Sequence, residues 1–328
     1  MSIFIAMPTT QDTEFIPTIE DAMNKAHKPS NLYFGIRMMT SLESDKDVLN
    51  KLEMRYGKQI RSYVDIIDEH NRLDKIGVGK ARQAVANLYR NEDHILSIDS
   101  HTLFTEGWDT KLITLLEQAK DKTNNDKTIL TGYPAKYYYK DKERVFYNDK
   151  ILYPYMGWEK EWDLERFPFL SRPMWSVCLP WMIKTIENND NKFLPCPKFA
   201  YNFSFSDKMF LYEEDLELVI MEEDIIKTWK LYKDGWELVF PNVNYPIIGH
   251  MYLSEISEAG GGRASYNNFI NGEEDQMLLE KEKQNVLRYY NNPEYKDIIN
   301  RYEKWIEGDF LNQSLHNYKI PDTWFQDI

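Results

Sequence analysis

At 328 residues the chain is long enough for one large α/β domain, or for a medium domain with an appendage, each burying a real core. A formal charge of -13 argues against nucleic acid as an electrostatic partner, since phosphate binding usually needs a basic patch, while a nucleotide held through a metal stays compatible because the cation brings the positive charge. Cys178 and Cys196 are too few for a disulfide scaffold and fit a reducing compartment, so a cytoplasmic location is expected, with one bridge between them left open.

The predicted elements begin at Ile3 to Met7, an apolar strand that starts almost at Met1, so neither a signal peptide nor an anchor is expected. No apolar run reaches the roughly 18 residues of a membrane span. Asp12 to Pro17 reads as a polar loop, and Ile19 to Ala26 as a helix, with Ile19, Met23 and Ala26 on one face. Leu32 to Met38 is a second strand and Ser62 to Ile67 a third. Val78 to Tyr89 is helical and leads to His94 to Ile98, a short buried strand that stops at Asp99. A helix from Trp108 to Gln118 and a strand from Thr128 to Tyr133 follow. This alternation of strand and helix predicts an α/β fold with a mostly parallel sheet.

Tyr137 to Pro180, dense in Tyr, Trp and Lys, has little period and reads as loops and antiparallel strands over a site. Phe203 to Val219 is strand and turn, Glu222 to Tyr232 a helix, and Glu237 to Pro241 a last strand. Gly260-Gly261-Gly262 is the best hinge. Helices near Glu274 to Tyr290 and Pro293 to Trp305 complete a charged tail, so the expected domains are a catalytic unit over 1–255 and a helical extension over 256–328.

The chemistry gathers at His94 to Phe104. A buried strand ending in Asp99-Ser100-His101 brings a carboxylate and an imidazole to the carboxyl edge of a sheet, where open α/β folds bind ligands. Residues two apart on an extended segment point the same way, so Asp99 and His101 can grip one cation. Oxygen with imidazole suits Mn²⁺ or a similar divalent ion better than a hard Ca²⁺ site. The plain alternative is an Asp that caps the following turn. Upstream, Gly77-Val-Gly-Lys-Ala-Arg82 reads as a glycine-opened helix start whose Arg82 can face Asp99 or a phosphate, or else is a surface arginine.

Ala81-Arg82, a helix, Ile98-Asp99-Ser100-His101, Phe104 and Trp108-Asp109, in that order, resemble glycosyltransferase family 60, the polypeptide α-N-acetylglucosaminyltransferases. The likeness also takes in Gln11-Asp12-Thr13-Glu14, Thr18-Ile19, Ile129 to Pro134, and Met221-Glu-Glu-Asp224 through Gly235 to Pro241. It runs from about residue 2 to 253 and is poor over 135 to 200. Gln11, Phe15 and Lys230 depart from the family's arginine, cysteine and arginine.

The resemblance implies a GT-A fold and a retaining transfer of GlcNAc from UDP-GlcNAc, a nucleotide-sugar donor, to a protein or glycan hydroxyl. Asp99 and His101 would then ligate the metal, with Thr9, Asp12, Gly77, Arg82 and Ser100 along the nucleotide. A late third ligand is expected, and His250, after the apolar run Tyr245 to Gly249, is the choice, although a histidine there also reads as a packing residue. Glu223, among Glu222, Glu223 and Asp224, is the choice for an acceptor-side carboxylate, against a solvated helix face. A metal hydrolase or an iron oxygenase uses similar ligands, but the oxygenase reading expects a jelly roll. A catalytically silent sugar-binding protein on the same scaffold is the remaining alternative.

Overall fold

A computed structural model describes residues 1–10, 12–40, 45–66, 78–146, 191–211, 223–251, 284–306, 308–309 and 314–315. Strand β1 (Ile3–Thr10) is buried on both faces, the pattern of a central parallel strand. It pairs in parallel with β2 (Leu32–Thr40) on one side and with β4 (His94–Ile98) on the other, and β2 pairs in parallel with β3 (Ile60–Ile66). Beyond β4 the sheet turns mixed. β10 (Phe203–Ser206) runs antiparallel to β4 and to β6 (Thr128–Thr131), β11 (Glu237–Pro241) is parallel to β6, and β9 (Phe193–Pro195) closes the edge. The order is β3-β2-β1-β4-β10-β6-β11-β9, eight strands that form the mixed, parallel-rich α/β sheet expected.

A second sheet, ordered β5-β12-β7-β8, joins β5 (Thr102–Phe104) and β12 (Ile248–His250) to the hairpin β7 (Ala135–Lys140) and β8 (Glu143–Phe146). That hairpin is the described part of the aromatic middle section; 147–190 lies outside the described residues, as does Gly260-Gly261-Gly262.

Helices flank the large sheet: α1 (Phe15–Lys25), α2 (Asp45–Tyr56), α3 (Val78–Ala86), α4 (Trp108–Thr123) and α5 (Glu223–Lys233). Each buries one apolar stripe, as Ile19 and Ala22 do in α1 and Leu112, Leu115 and Leu116 in α4. A fully buried leucine or isoleucine side chain contributes about 1.5–3 kcal/mol. On β2, Gly35 lets the sheet close, because a Cβ there would stand 2.3 Å from the Phe4 ring. Helix α1 starts at Phe15, inside the expected polar loop. Pro17 falls in its first turn, where a missing N–H leaves no intrahelical bond unmade. Helix α2 was not expected, since only Leu49 and Leu52 are buried on an otherwise charged segment.

The tail is helical over 284–290 and in α6 (Pro293–Ile306). Val286, Tyr295, Ile299 and Tyr302 join the main core cluster, and the Tyr302 hydroxyl donates to the carbonyl of Pro197. The expected boundary near 255 falls outside the described residues. Among the described residues no helix is long and apolar enough to cross a membrane.

Candidate metal centre

β1 and β4 are neighbours, and the chain leaves β1 toward α1 and leaves β4 toward the second sheet. The crevice at such a divergence is where open α/β sheets place ligands. All five residues of β4 are buried, and Asp99-Ser100-His101 bends out of the sheet before β5 begins. The Thr102 hydroxyl closes this bend by donating to the Asp99 carbonyl at 2.8 Å. The Asp-X-His segment is thus a turn between two sheets, where an extended strand end was expected. The two side chains still converge, with Asp99 Oδ2 3.8 Å from His101 Nε2.

Helix α1 holds the bend from beneath. The Thr18 hydroxyl accepts the Thr102 amide at 2.9 Å and lies within hydrogen-bond reach of the Ser100 carbonyl at 2.9 Å, and Asp21 Oδ2 accepts the Phe104 amide at 2.6 Å. Residues three apart on a helix share a face, so Thr18 and Asp21 stitch β5 along one stripe. Trp108-Asp109, part of the motif series, serves the same scaffold. The indole donates to the Ala22 carbonyl at 3.0 Å, and the buried carboxylate accepts the amides of His27 and Lys28 at 2.9 and 3.0 Å.

His250 arrives from the far end of the sequence because β12 pairs antiparallel with β5, which sets it opposite Thr102, and in parallel with β7, opposite Lys136. Gly249 before it leaves room for the Phe146 ring, 2.7 Å from where a Cβ would stand. His250 Nε2 lies 3.0 Å from Asp99 Oδ2 and 2.9 Å from His101 Nε2. One ligand atom from each of Asp99, His101 and His250 falls within 4.8 Å of the others.

Two imidazoles and a carboxylate form the donor set of a borderline divalent cation. Ligands about 2.1 Å from one ion and at right angles to each other are separated by about 3.0 Å, so the two short edges suit a shared ion. His101 and His250 are buried, and Asp99 opens to solvent with its side chain 26% exposed.

The surroundings keep the Asp99 carboxyl ionised, the form that can ligate a cation. Burial alone would raise the Asp99 pKa, but the His250 hydrogen bond, the Arg82 guanidinium and both imidazoles outweigh it and hold the carboxyl well below its usual range. Arg82, on α3, donates to Asp99 Oδ1 at 3.3 Å and stacks 4.5 Å over the Tyr201 ring. Asp12 reaches His101 from the other side, its Oδ2 2.7 Å from Nδ1, and accepts the Ser100 hydroxyl at 2.7 Å. Burial opposes its ionisation, yet these bonds and the Glu14 amide pull its pKa down to about 2. Two residues on, the Glu14 carboxylate accepts the hydroxyls of Tyr139 at 2.8 Å and Tyr137 at 3.2 Å, tying β7 to the start of α1. Burial, with the Glu14 charge, pushes both phenol pKa values up, so both remain donors.

The structure therefore brings Asp12, Arg82, Asp99, Ser100, His101 and His250 into one cluster. Thr9 is buried at the end of β1, and its hydroxyl meets no hydrogen-bond partner among the described residues. Gly77 and Glu222 lie outside the described residues. Glu223 opens α5, with its side chain outside the description, and its neighbour Asp224 pairs with the buried Lys198 ammonium at 3.1 Å. Sequence reasoning missed Tyr201, Lys198, and the role of Glu14. Each sits next to an apolar or aromatic run that reads as core, and only the pairing of distant strands reveals the partner.

The profile of the family described as Glycosyltransferase (GlcNAc) matches residues 57–257, more than half of the chain. No curated protein matches the sequence. Among solved structures, GalNAc-T7 with UDP, GalNAc and Mn²⁺ is similar at a TM-score of 0.59 and 13% identity, over 98% of this chain and 58% of that one. This chain thus spans little more than half the length of that relative. TarS 1-349 of S. aureus with UDP-GlcNAc scores 0.43 at 12% identity, over 94% of this chain and 74% of that one. The mannosyltransferase PcManGT of Pyrobaculum calidifontis with GDP-Man and Mn²⁺ scores 0.46 at 9% identity, over 93% and 69%. Of the three, only the first bears on the architecture here, and it shows the GT-A type of fold.

Proposed function

The chain belongs to the Glycosyltransferase (GlcNAc) family, and on that premise we propose that it is a metal-dependent retaining transferase that moves GlcNAc from UDP-GlcNAc to a hydroxyl of a polypeptide. The observation that carries the reading is the meeting of Asp99, His101 and His250, from separate segments, at one ligand point on the sheet rim. The donor set suits Mn²⁺, which when bound would neutralise charge on the donor diphosphate. Arg82, which donates to Asp99, would steady the same diphosphate as it departs, a role the motif resemblance supports. The acceptor oxygen bonds to the anomeric carbon as the bond from that carbon to the phosphate oxygen breaks. The hydroxyl proton passes to a donor phosphate oxygen, so no protein nucleophile is required. Thr9 and Gly77 are assigned to the nucleotide and Glu223 to the acceptor on the strength of the motif resemblance.

The same resemblance supports hydroxyproline, serine or threonine as the acceptor, and the low cysteine content supports a cytoplasmic location. Iron oxygenases share this donor set, but the parallel-rich α/β sheet argues against that chemistry here. The test is a panel of nucleotide sugars with Mn²⁺, scored by released nucleotide and by thermal shift. UDP-GlcNAc should turn over, and Asp99→Ala should abolish metal-dependent release. Undiminished Mn²⁺-dependent donor hydrolysis by that variant would rule the assignment out.

A further inference from the structure

We propose that Asp12 is a positioning residue of the metal centre, fixing the tautomer of His101 so that its Nε2 lone pair faces the ligand point. The inference rests on the reading of Asp99, His101 and His250 as cation ligands. Asp12 follows β1, the strand beside β4, and its side chain is 4% exposed. Three donors from the chain converge on it. The Glu14 amide meets Oδ1 at 2.9 Å, while the Ser100 hydroxyl and His101 Nδ1 both meet Oδ2 at 2.7 Å. Both oxygens are therefore engaged within the protein, one of them by the imidazole.

A carboxylate can only accept, so His101 must donate from Nδ1. A neutral imidazole has one N–H, and placing it there leaves Nε2 bare, the form that binds a metal. His101 Nε2 is also the atom that lies 2.9 Å from His250 Nε2. The bond to Asp12 thus selects which of the two nitrogens meets the cation and locks the plane of the ring.

Asp12→Asn exposes this role because an amide cannot satisfy all three donors. With its NH₂ at the Oδ1 position it would confront the Glu14 amide, donor against donor. With its NH₂ at the Oδ2 position it would donate to His101 Nδ1 and drive the proton to Nε2, the wrong tautomer for ligation. Two readouts decide it: the His101 tautomer of the metal-free protein from histidine ¹⁵N NMR, and Mn²⁺ affinity from calorimetry. Wild-type protein should carry the proton on Nδ1. Asp12→Asn should shift it to Nε2 and weaken Mn²⁺ binding about 10–100-fold, with metal-free UDP affinity unchanged.

A neutral wild-type His101 with its single proton on Nε2 overturns the proposal, and that measurement needs no variant to fold. So does an Asp12→Asn protein that keeps Mn²⁺ affinity within about twofold of wild type, or one that loses UDP affinity while keeping the metal. If Asp99→Ala loses Mn²⁺ and Asp12→Asn keeps it, only the role of Asp12 fails. If wild-type protein binds no Mn²⁺, the metal reading itself fails.

Discussion

Two clusters of buried charge lie along the same rim of the large sheet, and they differ in whether the protein completes them. At the end of β6, Lys198 donates to the Tyr133 hydroxyl and to Asp224, each at 3.1 Å, so its ammonium is paired within the chain. Burial would lower its pKa, but Tyr133 and Asp224 raise it further, and the lysine stays charged. At the end of β4 Asp99 pairs with Arg82 and His101 with Asp12, and in addition two imidazole nitrogens and a carboxylate oxygen aim at one another. β10 separates β4 from β6, which puts those two strands about 10 Å apart at the usual strand spacing. Breaking a self-paired buried cluster leaves a charge uncompensated, whereas donor atoms within 4.8 Å of one another could hold a metal ion.

That contrast breaks first at His250. His250→Ala removes one of three proposed ligand atoms and should lower both Mn²⁺ affinity and turnover by about 100-fold or more, with little change in melting temperature of the metal-free protein. A variant with normal Mn²⁺ affinity by calorimetry would dissolve the distinction. Lys198→Met should do the reverse, leaving Asp224 uncompensated and destabilising the fold by about 3 kcal/mol in urea denaturation while Mn²⁺ affinity holds. Adding Asp224→Leu should restore most of that loss. The folded pKa of Lys198 lies above its ordinary 10.5, so the stabilisation is fully present at neutral pH and is lost only as the pH rises beyond that value. The smallest effect is expected at Tyr201, between the clusters. Tyr201→Leu removes the ring under Arg82, worth about 1 kcal/mol, and should raise the donor KM roughly fivefold with kcat little changed.

Much of the sheet was legible because its strands are short apolar runs bounded by polar turns. His94–Ile98 and Glu237–Pro241 fall where the pattern predicted them. Helix α2 was not legible, since a charged surface helix with two buried leucines has almost no period to read. In the candidate site, Asp99 and His101 were visible as a pair because they are close in sequence. His250 was named through family likeness, and the register of β12 against β5 is what brings it to the bend. Glu14 is legible only as part of a motif, although its contacts with Tyr137 and Tyr139 bind β7 to α1.

From residue order alone followed the alternating architecture and the buried strand that stops at Asp99, since both depend on apolar runs and turn residues a few positions apart. Tertiary structure decided which imidazole meets which, 149 positions apart in the chain, and which carboxylate turns to His101. The physical reason is register: hydrogen-bonded pairing between distant strands fixes side chains to within ångströms, and no local pattern in the sequence encodes that pairing.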